Sequence, residues 1–285
     1  LYELAAELAE RGAPTSPYAA RALAWSAEWR RGDPRAEALG PLDATPQRGV
    51  VLPNPALAAT LRRVAAGGSR AFYEGPLADA LVRPARAAGS KIVPGVLKSY
   101  RVLEHEPLRA RWNGHEIVVP SLPSGGGLSV LLVLGALPHD EVPRLGLDTP
   151  GGLHVVAELL RAAHHDRVTF VGDPRYTKLD SALLLDPSRL RARRAKIRDD
   201  VTNLPKLPSV ADGGTLHLAV IDEAGSAVSA TITLGSAFGA HLVTEGGYAL
   251  NDALVDFTID EYGQKPTSRG PNFPRGGARP ASSLT

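Results

Sequence analysis

The sequence predicts an α+β protein, because a helical hydrophobic period over most of its length gives way to a strand period near its end. Apolar residues recur at helical spacing in segments before residue 200, whereas the alternation typical of strands begins at Thr215. Helices that come first and strands that come later favour a layered α+β domain.

The helical part contains segments with recognisable ends. Residues 1–35 predict two helices, and a helix at about 56–66 follows a proline-rich loop. Thr149 is a typical N-cap, with Pro150 at the first helical position, for a helix that runs to about Val168. The apolar residues that we expect to face inward on this helix are Leu153, Val156, Leu160 and Ala163.

Shorter segments complete the predicted elements. Residues 115–119 predict a strand, and the apolar run 128–137 predicts a helix behind a glycine-rich turn. Residues 186–200 predict a charged helix, and residues 201–214 predict a loop without apolar periodicity. We interpret the basic cluster of the charged helix as a solvated face rather than a nucleic-acid surface. This cluster comprises Arg189, Arg191, Arg193, Arg194 and Lys196.

The composition restricts the kinds of site that the chain can hold. Its 285 residues, 44% of them hydrophobic, can form one large domain or two ordinary ones. The 32 basic and 30 acidic residues leave a net charge of +2, which predicts no nucleic-acid partner. The absence of cysteine excludes disulfides, thiolate metal sites and a cysteine nucleophile. No stretch approaches the ~20 apolar residues of a membrane-spanning helix.

A candidate nucleophile stands where a glycine pair runs into a strand, at Gly213-Gly214-Thr215. A turn from Asp222 to Ser226 returns the chain as a second strand that carries further threonines. This pattern suits an N-terminal nucleophile, in which a threonine freed by self-cleavage uses its own α-amino group as the base for its hydroxyl. A threonine that opens a strand is most often structural, so the hypothesis depends on the rest of the chain.

Seven other short segments of the chain bear on this hypothesis: Phe72-Tyr73-Glu74-Gly75, Pro120 to Gly127, Asp166-Arg167 with Gly172-Asp173-Pro174, Thr231-Ile232-Thr233, Phe238-Gly239, Leu250-Asn251 with Asp256-Phe257, and Arg279-Pro280-Ala281-Ser282-Ser283. They occur in the order found in the γ-glutamyltranspeptidase family, and the chain resembles that family over essentially its whole length. The resemblance implies a four-layer αββα sandwich of the N-terminal nucleophile hydrolase type. It implies a large-subunit part at 1–214 and a small-subunit part at 215–285 within one domain, which we expect to be incomplete at both ends.

The resemblance also implies roles for single residues. Thr215 matches the nucleophile, which is released when its hydroxyl attacks the carbonyl of Gly214 and which then uses its new amino group as the base. Thr233 matches the threonine whose hydroxyl binds the nucleophile. Asp256 matches the carboxylate that holds the α-ammonium group of the substrate through a charge-assisted contact.

The substrate pocket combines matches with departures. Ser282 and Ser283 match the serine pair that binds the substrate carboxylate. Gly235 stands where the family usually has an asparagine that contacts the substrate amino group, and Ala253 stands where a glutamine or glutamate normally helps. Losing these two contacts should weaken recognition by several kcal/mol, at about 1–3 kcal/mol each. The pattern predicts a substrate other than a plain γ-glutamyl amide.

Two parts of the family site are not visible in the chain. The resemblance places a carboxylate-binding arginine before Leu1 and the glycine pair of the oxyanion hole after Thr285. A metal site at His164-His165-Asp166 is disfavoured, because adjacent helical positions point about 100° apart and no third ligand is evident.

These residues together predict a self-processing threonine-nucleophile acyl hydrolase or transferase that needs no cofactor. Its expected partners are a small molecule with an amino-acid head group and its own large and small subunits after cleavage, with homo-oligomerisation left open. Two alternatives remain: a diverged homologue in antibiotic biosynthesis that cleaves a C–C bond in an alkylproline precursor, and a non-catalytic binding homologue. The compartment is not assigned, since ordinary members are often exported whereas antibiotic-pathway members are expected inside the cell.

Overall fold

The computed structural model describes residues 1–42, 47–198, 213–257 and 270–284, which form helices and antiparallel strand pairs. The helices are α1 (Tyr2–Arg11), α2 (Pro17–Trp25), α3 (Ala27–Arg31), α4 (Pro55–Tyr73), α5 (Pro76–Ala87), α6 (Pro94–Ser99), α7 (Gly125–Ala136), α8 (Val142–Leu145), α9 (Pro150–Phe170), α10 (Ser181–Leu184) and α11 (Pro187–Arg194). The strands are β1 (Ala13–Pro14), β2 (Val51–Leu52), β3 (Leu108–Trp112), β4 (His115–Val119), β5 (Gly213–Ile221) and β6 (Ala227–Ser236). Short 3-10 helices lie at Pro34–Leu39, His139–Glu141 and Ala253–Asp256.

The chain divides into two compact units, each built from two separate segments. Unit 1 contains Leu1–Val102 and Ala211–Asp252, and unit 2 contains Leu103–Val210 and Ala253–Thr285. The predicted division between residues 214 and 215 is a cleavage site and not a boundary between these units. It stays a prediction.

In unit 1, the helical segment is joined to the segment after β6 by side chains. Thr60 in α4 donates its hydroxyl to the carbonyl of Gly246 (3.0 Å), and the Asn54 amide donates to the carbonyl of Gly247 (2.7 Å). The Trp29 ring of α3 stacks on His241, with 4.6 Å between the ring centroids. These contacts hold the chain that leaves the β5–β6 hairpin against the helices.

Unit 2 is built on an apolar core between α7, α9 and α11. Its buried members are Leu128, Leu132, Ala136, Leu137, Val155, Leu159, Ala163, Val171, Leu184 and Leu190. The predicted inward face of α9 is wrong for Leu153 and Leu160, which are 58% and 53% exposed, whereas Val155 and Leu159 are buried. Apolar residues lie on both sides of α9, so their spacing does not decide which side packs on α7.

The basic cluster of α11 is bound to acidic side chains, and its interpretation as a solvated face is wrong for three of its members. Arg189 and Arg193 both donate to the carboxylate of Asp166, which is 1% exposed, at 2.6–2.9 Å. Arg194 pairs with Glu141. Because a carboxylate in the interior requires charged partners, the buried Asp166 of α9 orders the arginines of α11.

The strand pairs are antiparallel ladders of two strands each in the ranges that the structure describes. The predicted strand at 115–119 is present as β4, and its partner β3 is an addition to the predicted elements. The β5–β6 hairpin turns where the sequence predicts, and β5 begins at Gly213, two residues before the predicted start at Thr215. The four-layer sandwich stays a prediction. Within those same ranges, no helix has the length and apolar character to cross a membrane.

Candidate active site

The predicted nucleophile and its predicted partner face each other across the β5–β6 ladder. Thr215 is paired with Thr233 in register, and the Thr215 hydroxyl donates to the Thr233 hydroxyl oxygen at 3.2 Å. The backbone N–H of Gly235 donates to the same oxygen at 2.9 Å. The position of the Thr233 hydroxyl is therefore fixed by a backbone group, so that it can orient the Thr215 side chain.

The ladder is irregular next to Thr215. Gly213 pairs with Ser236 and Thr215 pairs with Thr233, so two residues of β6, Leu234 and Gly235, face a single residue of β5. Such a β-bulge bends the strand and interrupts its hydrogen bonds, and bulges are over-represented beside active sites. The peptide bond before Thr215 thus lies at a break in the ladder.

A histidine extends the polar face of the hairpin. His217 lies one pleat beyond Thr215, and its Nδ1 is 2.8 Å from the Thr231 hydroxyl oxygen. Its Nε2 is 3.4 Å from the Ser229 hydroxyl. Residues at i and i+2 share one face of a strand, so the polar residues of β5 and β6 form a continuous row on the face of Thr215.

Gly235, the position of the first departure, is a glycine for two structural reasons. Its φ of +90° is one that side-chain-bearing residues rarely adopt. An added Cβ would also overlap Oδ1 of Asp252 and would lie 2.9 Å from its Cγ. The Asp252 carboxylate thus occupies the space beside Gly235.

Ala253 and Asp256 lie on a 3-10 helix of unit 2. The Asp256 backbone carbonyl accepts a hydrogen bond from the Asn272 amide at 2.6 Å, and its carboxylate is exposed. Burial lowers the pKa of the Arg167 guanidinium, and the charge of Asp256 opposes that shift. The carboxylate of Asp256 and the cation of Arg167 are therefore electrostatic neighbours.

The serine pair is held on the glycine-rich turn at the start of α7. The N–H of Gly125 donates to the Ser282 carbonyl (2.6 Å), and the N–H of Ser282 donates to the Pro123 carbonyl (3.0 Å). A Cβ on Gly126 would overlap the Ser283 carbonyl oxygen, so this close approach requires glycine.

Ser283 borders an open groove of about 450 Å³ in unit 2. The other polar side chains that line it are Ser129, Arg161, His164 and Arg167. Of its two arginines, Arg161 is paired with Glu158 (3.6 Å between Nε and Oε1) and Arg167 is the electrostatic neighbour of Asp256. The groove thus offers guanidinium donors to a ligand.

The described residues include no cluster of three or more His, Cys, Asp or Glu side chains placed to hold a metal ion. The carboxylate of Asp166, from the His164-His165-Asp166 segment, forms ion pairs with Arg189 and Arg193.

The family model for gamma-glutamyltranspeptidase matches residues 1–285. The chain belongs to the γ-glutamyltranspeptidase family. A glutathione hydrolase proenzyme from a Pseudomonas species is 34% identical over 208 residues, which are 71% of this chain and 36% of that protein. The acylase ACY 1 proenzyme from another Pseudomonas strain is 33% identical over 254 residues, 88% of this chain and 46% of that protein.

The crystal structure of cephalosporin acylase from Bacillus halodurans has a similar fold. Its TM-score is 0.81 at 25% identity, over 98% of this chain and 51% of that chain. The chain spans about half or less of the length of these relatives.

The structure places the predicted γ-glutamyltranspeptidase site residues in two groups. Unit 1 holds Thr215, Thr233 and Gly235, and unit 2 holds Ala253, Asp256, Ser282 and Ser283. His217, Asp252 and Arg167 lie beside predicted site residues and were not predicted from the sequence. For Arg167 a signal was available, since it belongs to one of the segments shared with the family.

A second shared segment, Gly172-Asp173-Pro174, anchors the chain that leads to the serine pair. Asp173 is buried, and its carboxylate accepts hydrogen bonds from the Arg175 side chain (2.5 and 3.0 Å) and from the Arg279 backbone N–H (2.7 Å). The Arg175 side-chain bond is the main cause of a pKa of Asp173 well below its ordinary value.

We expect this anchor to make stability depend on pH. The unfolded carboxyl has a pKa of about 3.9. Because the folded pKa is lower, the contribution of Asp173 is present above about pH 4 and is lost as the pH falls toward the folded pKa. Asp173→Asn should lower the free energy of unfolding by about 1–3 kcal/mol at pH 7. Urea unfolding at several pH values should show that this difference shrinks below about pH 4.

The control for this prediction is Asp140→Asn, which removes an exposed carboxylate paired with Arg144. Such exposed pairs contribute about 0–1 kcal/mol. A deficit of Asp173→Asn that stays constant from pH 7 to pH 3 would contradict the assignment of the shifted carboxyl.

Proposed function

We propose that the chain carries the catalytic part of a self-processing acyl hydrolase or transferase with Thr215 as its nucleophile. The observation that carries the proposal is the hydrogen bond from the Thr215 hydroxyl to Thr233, beside the β-bulge that Leu234 and Gly235 form opposite Gly214. Family membership supports it, and two similar relatives are proenzymes. We also propose that the complete protein has the four-layer αββα sandwich.

Maturation would begin when the Thr215 hydroxyl oxygen attacks the carbonyl carbon of Gly214. The peptide nitrogen of Thr215 is then expelled and takes up the hydroxyl proton, which leaves an ester between the two residues. Water hydrolyses this ester to give a Gly214 carboxylate and a Thr215 with a free α-amino group. The large-subunit part would end at Gly214, and the small-subunit part would begin at Thr215.

In turnover, Thr215 would supply both the nucleophile and the base. The free amine of Thr215 accepts the proton of its own hydroxyl as the oxygen attacks the acyl carbonyl of the substrate. The leaving amine departs with a proton, and water or a second amine then releases the acyl group. Thr233, whose hydroxyl is held by the Gly235 N–H, would keep the nucleophile oriented.

We propose a substrate that carries an amino-acid head group. Asp256 would hold an ammonium group, and Ser282 and Ser283 would bind a carboxylate. Arg161 and Arg167 line the groove beside Ser283, and their guanidinium groups support the proposal of a carboxylate ligand in unit 2. Gly235 and Ala253 lack the polar side chains that the family usually has at these positions for a plain γ-glutamyl amide. Two similar proteins are acylases by name, which supports the proposal of a different acyl group. The same two departures favour the second candidate, the homologue in antibiotic biosynthesis that cleaves a C–C bond in an alkylproline precursor.

Turnover assays of the full-length protein test these proposals. Glutathione is assayed for release of glutamate, and whatever turnover the wild type shows should fall at least about 10³-fold in Thr215→Ala because the attacking oxygen is gone. An oxalyl-type adduct assayed in parallel identifies the second candidate if it alone is cleaved. A protein that stays uncleaved and turns over neither compound would contradict both and favour the non-catalytic binding homologue.

A further inference from the structure

Asp252 lies where a side chain of residue 235 would otherwise stand. A Cβ built on Gly235 overlaps Oδ1 of Asp252 and is 2.9 Å from Cγ and 3.6 Å from Oδ2. Any larger residue at 235 would therefore have to displace this carboxylate. The position of the Asp252 side chain therefore depends on the absence of a side chain at residue 235.

The carboxylate is held by the backbone of β6. The N–H of Asp252 donates to the Leu234 carbonyl (2.9 Å), and the N–H of Ser236 donates to Oδ1 (3.0 Å). Within the part of the chain that the structure describes, Oδ2 accepts no hydrogen bond and no ion pair joins Asp252 to a basic side chain. The half-buried Asp252 thus combines one anchored oxygen with one that remains available to a ligand.

This carboxylate is close to the candidate nucleophile. Gly235, beside which it lies, donates its N–H to the Thr233 hydroxyl, and that hydroxyl accepts from Thr215. Two hydrogen bonds through the Thr233 hydroxyl therefore connect the Thr215 hydroxyl with Gly235, the residue beside the Asp252 carboxylate. A cationic group bound at Oδ2 would lie on the part of unit 1 that carries the nucleophile.

We propose that Asp252 binds the ammonium group of the substrate, in place of the asparagine that the family usually carries at the position of Gly235. The inference rests on the proposed function, since it assumes an amino-acid head group. A carboxylate makes a charge-assisted hydrogen bond to an ammonium group, which is stronger than the neutral contact of an amide. The exchange of asparagine for glycine therefore moves the ammonium contact from residue 235 to residue 252, and it does not remove it.

Two substrates that differ in one group test the assignment. A γ-glutamyl anilide carries the ammonium group, and a glutaryl anilide has the same acyl chain without it. For Asp252→Asn in the full-length protein, we expect kcat/KM to fall roughly 10–100-fold for the glutamyl anilide, the range that the loss of one charged contact gives. The glutaryl anilide should change by less than about threefold. Asparagine can still accept the Ser236 N–H, so the backbone contact is kept.

Two further variants sharpen the result. Asp222→Asn alters an aspartate at the other end of the hairpin whose Oδ1 also accepts a backbone N–H, from Ser226 at 2.8 Å. It should leave the ratio of the two rates unchanged. Gly235→Asn should lower glutamyl turnover, because its side chain displaces Asp252 and its φ is strained. An increase in Gly235→Asn would overturn the inference.

The remaining outcomes separate this inference from the proposed function. If Asp252→Asn lowers turnover of both anilides equally, Asp252 has only a structural role, and the inference is overturned while the hydrolase proposal stands. If the wild-type protein prefers the glutaryl anilide, the inference is also overturned and the hydrolase proposal again stands. If the protein hydrolyses neither anilide, the inference is overturned. If it also stays uncleaved and turns over neither glutathione nor the oxalyl-type adduct, the proposed function fails as well.

Discussion

Intact-mass measurement of freshly purified full-length protein under denaturing conditions is expected to give two chains, the second beginning at Thr215. The Thr215→Ala variant is expected to give a single uncleaved chain. Its alanine has no oxygen that could attack the Gly214 carbonyl, so the acyl shift cannot begin. This is the largest effect that we expect from a single substitution, because both maturation and turnover depend on the same hydroxyl.

The matched control is Ser229→Ala, which removes a hydroxyl from the face of β6 that also carries Thr233. It should cleave like the wild type. Thr215→Ser keeps an attacking oxygen and should also cleave. If the wild type and Thr215→Ala both remain whole, the nucleophile assignment fails and the binding homologue becomes the better account of the chain.

Local sequence patterns were sufficient to predict those elements whose ends are fixed by hydrogen bonds between residues close together in the sequence. Thr149 and Pro150 predicted the start of α9, and the Thr149 hydroxyl accepts from the Gly152 N–H as a cap does. The turn between β5 and β6 was predictable for the same reason, because Asp222 binds the N–H of Ser226 within it. The pairing of Thr215 with Thr233 then follows from the length of the turn.

Features that depend on distant segments could not be predicted from such patterns. Leu153 and Val155 are both apolar, and only the position of α7 decides which one is buried. The closeness of Asp252 to Gly235 arises because the chain folds back across β6, and no local spacing encodes that return. The only signal in the sequence was a glycine at a position where a polar residue was expected.

The second large effect is expected at Asp166, where Asp166→Ala should lower the free energy of unfolding by about 3–5 kcal/mol. The carboxylate is 1% exposed and accepts three hydrogen bonds from Arg189 and Arg193. Its removal leaves two guanidinium groups without their anion, at 30% and 22% side-chain exposure. A loss of this size is a large part of the 5–15 kcal/mol of a typical domain and should lower the melting temperature by on the order of 10 °C.

Arg191→Ala is the matched control for Asp166→Ala, because Arg191 belongs to α11 but is exposed, unlike the partly buried Arg189 and Arg193. Substitutions at such surface positions usually change stability by less than about 0.5 kcal/mol. Thermal unfolding followed by circular dichroism compares the two variants directly. Equal losses would mean that α11 is sensitive to any substitution. A small loss for Asp166→Ala would mean that solvent can replace the carboxylate, and that apolar contacts alone hold α9 against α11.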